Sequence, residues 1–307
     1  MDDEQAILKQ YRNITANLKE YGRPYLRHGT DEYRKLIFQS VDESWSPRIV
    51  VSGNNEKWLI NPVGNTIISR RIRGFIPKES LEGFVKDWKD KYCASQVTKD
   101  LSTPVFISYK NIMLENCYLI SLEVTETAGK IPSFSMGIVS EKESYSEGIG
   151  AIPPPEEYEL DRDMIAKGEK AIINDSEDNF DTFSLITVSR IYKDRVSLIE
   201  MENNNIRLMA FGLAPCKYTL TLNVPEYINN TNFPYTKLVN NLKNKWLVKR
   251  GGGLITVNYG YKTIEGAVIS VVGRNSTENS INIIVEMIIS SEVPQAKPSE
   301  EETDVEE

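Results

Sequence analysis

Two stretches of the sequence carry the same spacing of apolar and polar residues. Residues 81–92 (LEGFVKDWKDKY) have apolar side chains at the first, fourth, fifth, eighth and twelfth positions, and so do residues 235–246 (YTKLVNNLKNKW). This spacing collects the apolar side chains on one face of an α-helix. Each stretch therefore predicts an amphipathic helix of about three turns, with Trp88 and Leu242 on the buried face.

Strand-like alternation follows each of these two stretches. Residues 105–109 (VFISY) and 114–116 (LEN) follow the first, and residues 255–259 (ITVNY) and 264–266 (IEG) follow the second, at a constant offset of 150. Such alternation predicts strands with one buried face. A hairpin turn is predicted in each short polar connection between them, at residues 110–113 and 260–263.

Further elements repeat in the same order, which predicts an internal duplication. Chance could produce two similar helices, but not a helix, a hairpin and a closing strand in the same order twice. The other predicted strands are 117–124 and 134–139 in the first copy, 267–272 and 281–289 in the second, the weaker match of 48–53 with 207–212, and 183–191 and 196–201 at the start of the second copy.

The repeat predicts an α+β fold of two tandem, mostly antiparallel modules, each with one flanking amphipathic helix. The expected divisions are an N-terminal arm (1–43), a first module (44–142), an acidic linker with three consecutive prolines (143–181), a second module (182–292) and a proline-spaced, glutamate-rich tail (293–307). Because the tail has too few apolar groups to offset its ordering entropy, we expect it to be disordered.

The formal charge of −8 is concentrated in the connecting segments. Residues 292–307 hold seven acidic residues and one lysine, and residues 142–181 hold twelve acidic and four basic residues. By subtraction, the rest of the chain carries about +6. A basic surface is compatible with nucleic acid, but no dense basic helix or RNA-binding motif accompanies it. A solvated surface is therefore the preferred interpretation.

The residues with catalytic or metal-binding chemistry form no recognisable site. His28 is the only histidine, which excludes sites that need two of them. Cys93, Cys117 and Cys216 lack CxxC spacing and are expected to be reduced thiols rather than zinc ligands or a disulfide framework. The glycines at 251–253 follow a helix instead of opening one, so a phosphate loop is not indicated. We predict no catalytic residue, metal or cofactor, and no enzymatic activity.

The distribution of apolar residues also bears on membrane insertion and export. No run of about eighteen apolar residues exists, so no membrane span is predicted. The chain opens with Met1-Asp2-Asp3-Glu4, whereas a secretory signal has a basic start followed by an apolar stretch. We therefore expect no export by that route.

The order of elements resembles the tail-tube and baseplate hub or tube-initiator proteins of tailed phages. The shared order begins with a strand, an amphipathic helix with an aromatic end, and a loop. A strand of the form V-x-I-x-Y and a turn follow, and then an apolar residue before Glu and Gly leads into the last strand. Residues 105–116 and 255–266 carry the resemblance most closely, and it extends over 48–141 and 207–291. In the first copy, Asn116 stands where the pattern has glycine. The resemblance implies a β-sandwich or split barrel in each module, with hairpins that join around a lumen through which DNA passes.

The resemblance further implies a structural virion protein, assembled in the host cytoplasm, whose partners are its own copies and neighbouring tail or baseplate proteins. DNA would pass without sequence-specific binding. Because two modules per chain halve the number of chains that a ring needs, a trimer is the expected closed form and a hexamer the next. Hairpin edges would pair between subunits. The residues expected at these joints or at the lumen are Val105, Ile107, Tyr109, Glu115, Ile255, Val257, Tyr259 and Glu265; an exposed strand position explains the two glutamates equally well.

Two other functions are compatible with the sequence. A sliding clamp is also duplicated, acidic and ring-shaped, but clamps resemble two helices per module, and only one clear helix per copy is predicted here. An enzyme or carbohydrate-binding module of the virion could use aromatic residues such as Trp45, Trp58 and Tyr145 to stack on sugars, although such residues are more often core or interface anchors.

Overall fold

The chain folds into mostly antiparallel β-structure with few helices, which confirms a β-rich α+β fold. The computed structural model describes residues 16–17, 20–21, 24–46, 49–54, 57–62, 67–99, 104–145, 165–174, 179–200, 206–225, 240–241, 244, 255–259, 262–277, 280–289 and 293–294, in some strands by their backbone alone.

Twelve of the described elements belong to the first half of the chain. They are β1 (Tyr25–His28), β2 (Asp31–Tyr33), β3 (Ile37–Ser46), β4 (Ile49–Asn54), β5 (Lys57–Pro62), β6 (Ile67–Phe75), α1 (Lys78–Asp87), a π-helical segment (Trp88–Tyr92), α2 (Ala94–Val97), β7 (Val105–Tyr109), β8 (Ile112–Thr127) and β9 (Ser133–Tyr145).

Eight described strands belong to the second half, in which the described residues 240, 241 and 244 are helical. They are β10 (Glu169–Asn174), β11 (Asn179–Glu200), β12 (Ile206–Leu213), β13 (Cys216–Pro225), β14 (Ile255–Tyr259), β15 (Lys262–Thr277), β16 (Ser280–Ile289) and β17 (Val293–Pro294).

The chain divides into two compact units. Unit 1 comprises Met1–Lys167 and Ser189–Ala214, and unit 2 comprises Gly168–Val188 and Pro215–Glu307. The long strand β11 therefore begins in unit 2 and ends in unit 1. The module boundaries expected from the sequence stay a prediction, since this division is by contact density and not by repeat.

Unit 1 contains an antiparallel sheet in the order β2–β1–β7–β8–β9–β6–β3. In unit 2, antiparallel pairs join the strands in the order β10–β14–β15–β16–β13, and β11 is hydrogen-bonded to both β10 and β13. The strands β1, β7, β8, β9, β6 and β3 thus have the same order as β10, β14, β15, β16, β13 and β11.

The hairpins at the centre of the two sets share their register. Val105 pairs with Cys117 and Ile107 with Leu114, with an irregularity between the two pairs. The second hairpin pairs Ile255 with Ala267 and Val257 with Ile264, with the irregularity at the same place. Each residue lies 150 positions after its counterpart, so the sequence offset is also a structural one.

A second bulge is repeated as well. The register between β8 and β9 shifts between Leu119 and Ser121, and the register between β15 and β16 shifts between Ile269 and Val271. Bulges are specific local departures from a ladder and are retained when a strand arrangement is copied. The coincident irregularities show that the two sets of strands share their arrangement, whereas their origin by duplication stays a prediction.

The first predicted amphipathic helix is confirmed. α1 and the π-helical segment cover the predicted residues, and their five apolar side chains are at most 3% exposed: Leu81, Phe84, Val85, Trp88 and Tyr92. The second predicted helix, 235–246, lies almost wholly outside the described residues, and Leu242 lies outside them too.

Some strands lie in segments that the sequence assigned to an arm or a linker. β1, β2 and most of β3 fall within residues 1–43, and β10 falls within residues 143–181. β1 and β10 have four and six residues, which is too short for alternation to distinguish a strand from a loop. β11 is one strand where two were expected. Most of the tail, 295–307, lies outside the described residues.

Candidate functional site

Six of the eight residues expected at subunit joints or at the lumen are core residues of the single chain. Their exposed fraction is at most 3%: Val105, Ile107, Tyr109, Ile255, Val257 and Tyr259. Their strands are paired on both sides, β7 with β1 and β8, and β14 with β10 and β15. Because the chain itself fills these edges, a role for the six side chains in assembly stays a prediction.

The two glutamates at matching positions lie on equivalent strands. The carboxylate of Glu115 is partly exposed, and the hydroxyl of Ser144 donates to its Oε1 atom at 3.1 Å. Glu265 lies on β15 with its side chain outside the described part of the structure. Their placement at a lumen therefore also stays a prediction.

Each repeat carries a two-stranded extension between the strands equivalent to β3 and β6. In the first repeat, β4 and β5 pair from Ile49 and Pro62 to Asn54 and Lys57. In the second repeat, the end of β11 pairs with β12, and this extension belongs to unit 1. We call the end of β11 (189–200) together with β12 the second extension.

Aromatic contacts anchor the second extension on the helical segment of unit 1. The ring centroids of Tyr192 and Trp88 are 6.1 Å apart, and the Nζ atom of Lys89 lies 4.4 Å from the centroid of the Tyr192 ring. Tilted aromatic pairs and cation–π contacts at such distances are stabilising. Since Trp88 and Tyr192 are both buried, this contact excludes water.

The second extension also caps helix α2. The backbone N–H of Ser95 donates to the Oδ2 atom of Asp194 at 2.5 Å, and Asp194 is 6% exposed. A carboxylate in this position accepts from an N–H that has no partner within the helix and favours the positive end of its dipole. Cys93, which precedes α2, provides no side-chain cap of its own.

A buried guanidinium makes the strongest polar contacts of the second extension. Arg190 is fully buried; its two terminal nitrogens donate to Glu82 at 2.8 and 3.1 Å, and one of them also donates to Glu126 at 2.9 Å. Glu126 is 7% exposed and also binds the Nζ atom of Lys78. Because a buried charge is stable only when it is paired and hydrogen-bonded, this cluster fixes the position of β11 against α1 and β8.

β11 also lies beside β8, to which it is hydrogen-bonded. The hydroxyl of Thr125 lies 3.2 Å from that of Ser189, and the Ser189 hydroxyl lies 3.4 Å from a carboxylate oxygen of Glu123. All three residues belong to unit 1. A strand of the second repeat thus extends the sheet of the first.

An open cleft of about 600 Å³ lies between α2 and β12. It is lined by Ser95, Gln96, Thr98, Lys99 and residues 208–213. Met209 and Phe211 are 41% and 58% exposed, and β12 pairs with β11 alone among the described strands. Exposed apolar side chains on a sheet edge are typical of a contact surface.

Burial governs the ionisation of two cysteine thiols in the described part of the structure. Burial raises the pKa of the Cys93 and Cys117 thiols, which keeps them protonated and unreactive near neutral pH. All three cysteines are free thiols. The described residues contain no group of three or more histidine, cysteine or acidic side chains placed to hold a metal ion. His28 lies on β1 with its ring edge toward Tyr92.

Three residues that organise the second extension escaped sequence analysis: Arg190, Tyr192 and Asp194. A signal for Arg190 is present, because it interrupts the apolar run 183–191 with a charge. Nothing local to Asp194 indicates that it caps a helix 99 residues earlier in the chain. The side chains of Trp45, Trp58 and Tyr145, the aromatic residues considered for sugar binding, lie outside the described part of the structure.

No protein-family profile and no curated protein sequence matches this chain. Within the described residues, no helix combines the length and apolar character that a membrane crossing requires.

Proposed function

We propose that this chain is a ring-forming structural component of a phage-type tail, of the tail-tube or baseplate hub and tube-initiator class. Its ring surrounds a lumen that conducts DNA, and each repeat supplies one β-sandwich or split-barrel module. The observation that carries the proposal is the equivalence of the two repeats, which share six strands in one order and two bulges at matching positions.

The equivalence supports a ring because a duplicated chain presents similar surfaces twice. When such chains associate head to tail and the rotation closes, half as many chains complete the circle. Three copies then provide six modules, and a trimer with pseudo-six-fold symmetry is the expected form, with a hexamer next. The neighbouring tail or baseplate proteins would bind the two faces of this ring.

The lumen of such a ring must let DNA slide. Because lysine and arginine side chains bind phosphates with an affinity that retains the duplex at low salt, the lumen should be neutral or acidic, and Glu115 and Glu265 are the residues that we place near it. Such a protein is part of the virion and is assembled in the host cytoplasm. DNA binding at low salt would favour the clamp alternative, and glycan binding the carbohydrate-binding one.

Electron microscopy of the purified protein, alone and with tail partners, tests the proposal. We expect closed rings or short tubes whose inner diameter is about that of one DNA duplex, with three-fold and pseudo-six-fold features in averaged images. A protein that stays monomeric at every concentration and with every partner, or that turns over a small substrate, would refute it.

A further inference from the structure

We propose that copies of this chain join by pairing the open edge of β3 in one copy with the open edge of β15 in the next. This joint repeats, between chains, the contact that β11 makes with β8 inside unit 1. The inference rests on the proposed ring function and adds to it the strands and residues that form the joint.

The contact between β11 and β8 is the template for the joint. Backbone hydrogen bonds link the two strands, and the hydroxyls of Ser189 and Thr125 lie 3.2 Å apart across them. The contact is heterologous, because β11 comes from the second repeat and β8 from the first. The same heterologous contact can form again between equivalent modules of two chains. Its repetition builds either a closed ring or an open helical filament of chains.

β3 is the counterpart of β11. Residues 40–49 (SVDESWSPRI) align with residues 187–196 (TVSRIYKDRV) at an offset of 147, which pairs Trp45 with Tyr192. The preceding strands β1 and β10 are related by the same offset, since Tyr25 pairs with Ser108 on β7 and Ile172 pairs with Asn258 on β14. The counterpart of Ser189 is then Asp42.

β15 is the counterpart of β8. The registers of the two hairpins and their bulges place each residue of β15 150 positions after its counterpart. Thr125 therefore corresponds to Asn275. The part of β8 that meets β11 corresponds to the end of β15, within residues 268–277.

Neither edge pairs with a further strand in the described part of a single chain. There, β3 pairs with β6 alone, and residues 268–277 of β15 pair with β16 alone. The backbone N–H of Val41 donates to the hydroxyl of Tyr21, so this donor of β3 must exchange its partner when the joint forms. By contrast, β11 and β8 have used the corresponding edges on each other.

Pairing of these edges would satisfy backbone groups that water solvates in the free chain. Addition of a strand to an open sheet edge is a general mode of recognition, in which backbone hydrogen bonds supply affinity and alternate side chains supply specificity. Each copy has one β3 edge and one β15 edge, so every copy offers one half of the joint on each side. That arrangement lets copies associate head to tail, and they form a ring when the rotation between successive copies closes.

Cysteine pairs test the joint directly. In a Cys216→Ser background, the Asp42→Cys, Asn275→Cys double variant should form disulfides between chains on mild oxidation, in a ladder that ends at the copy number of the ring. Mixing the two single variants should give a dimer that contains one chain of each. Asp42 forms an exposed ion pair with Arg73, so its replacement should leave folding intact.

Two further cysteine pairs provide controls. The Thr125→Cys, Ser189→Cys variant should cross-link within one chain, which verifies the template. The Asp42→Cys, Lys130→Cys variant places the second thiol on an exposed residue elsewhere in unit 1 and should not form the ladder. If the Asp42→Cys, Asn275→Cys variant forms its disulfide only within one chain, the inference is overturned.

Hydrogen exchange of the unmodified protein gives a test that needs no variant. On assembly, the backbone amides of residues 37–46 that point away from β6, and those of residues 268–277 that point away from β16, should exchange at least tenfold more slowly. Rings seen by electron microscopy without this protection and without the ladder would overturn the joint and leave the ring function standing. The absence of rings, ladder and protection would overturn both. If the outward-pointing amides of residues 37–46 other than Val41 are already protected in the monomer, the N-terminal arm covers this edge, which also overturns the joint.

Discussion

At the scale of single residues, two backbone positions explain a difference between the repeats. Lys110 and Asn116 have φ angles of 53° and 51°, in the left-handed region. The residues 150 positions later are Gly260 and Gly266. Glycine adopts this conformation without steric cost, and asparagine tolerates it better than most residues. Asn116, which departs from the pattern at this position, is therefore a residue that its own backbone conformation accommodates.

The effect of a substitution at Asn116 on the free energy of unfolding should depend on backbone conformation more than on side-chain chemistry. We expect Asn116→Ala to lower the free energy of unfolding by about 1 kcal/mol, because alanine at positive φ is strained. Asn116→Gly should change it by no more than about 0.5 kcal/mol. Chemical denaturation measures both, with the neighbouring exposed residue variant Asn111→Ala as the control. Equal losses for the alanine and glycine variants would show that a side-chain contact decides instead.

The buried thiols and phenols should make the protein sensitive to alkaline pH. Burial raises the pKa of Cys93 and Cys117 above their usual value of 9.0, and it also raises the pKa of Tyr33 and Tyr92. The neutral forms are favoured in the folded state, so stability is unaffected below the unfolded pKa values and falls as pH rises above them. We expect the free energy of unfolding to decrease from about pH 9 upward, as measured by denaturation over a pH series.

Thiol labelling provides the control for this account. Cys216 is partly exposed and should react with iodoacetamide at pH 8 in the native protein, whereas Cys93 and Cys117 should react only after unfolding. Mass spectrometry of the labelled peptides reads out each cysteine separately. Rapid native labelling of Cys93 or Cys117 would contradict the assigned burial.

At the scale of elements, the helical segment of unit 1 is held by the apolar face that the sequence predicted. Trp88→Ala should lower the free energy of unfolding by about 3–5 kcal/mol, because it empties a large buried aromatic site and removes the contact with Tyr192. The matched control is Phe211→Ala, at a residue that is 58% exposed, with an expected loss below about 1 kcal/mol. Thermal or chemical denaturation distinguishes the two, and similar small losses would mean that the helix face was assigned wrongly.

The buried ion cluster of Arg190, Glu82 and Glu126 should be needed to hold the second extension against α1 and β8. Arg190→Met removes one of the two cationic partners of the buried Glu126 carboxylate and leaves Lys78 as the other, and we expect a loss of about 3 kcal/mol. Arg190→Lys should recover part of it, since an ammonium keeps the charge but not the bidentate geometry. Arg34→Met, which breaks an exposed pair with Glu32, should cost less than about 1 kcal/mol. A loss for Arg190→Met no larger than that of Arg34→Met would show that the cluster contributes little.

The sequence predicted those elements whose pattern is local. The first helix and the strands after it have spacing that only one kind of element produces, and repetition strengthened each assignment. The short strands β1 and β10 were missed because they are too short for alternation to identify, and because one partner of each, β7 or β14, lies about 77 to 88 residues away in the chain. The positions of Arg190 and Asp194 depend on which repeat their extension packs against, and no local pattern records that. For the same reason, β7 and β14 were expected to have open edges, although distant strands fill them.

At the scale of the whole molecule, the proposed assembly follows from the proposed duplication. One copy of a contact between repeats is formed within the chain, by β11 and β8. The counterpart strands β3 and β15 retain edges that a second copy would pair with, so half of the joints of the proposed ring would lie within chains and half between them. Formation of the ring needs no bound metal or cofactor in this account, and it should depend on protein concentration.

The mass of the assembled species, measured by light scattering or mass photometry over a series of protein concentrations, tests the central claim most directly. The account predicts a transition from the 34.9 kDa chain to a discrete species of three chains, or of six, with no unlimited growth from an open head-to-tail filament. A single 34.9 kDa species at all concentrations, with and without tail proteins, would contradict the claim that this chain forms a ring.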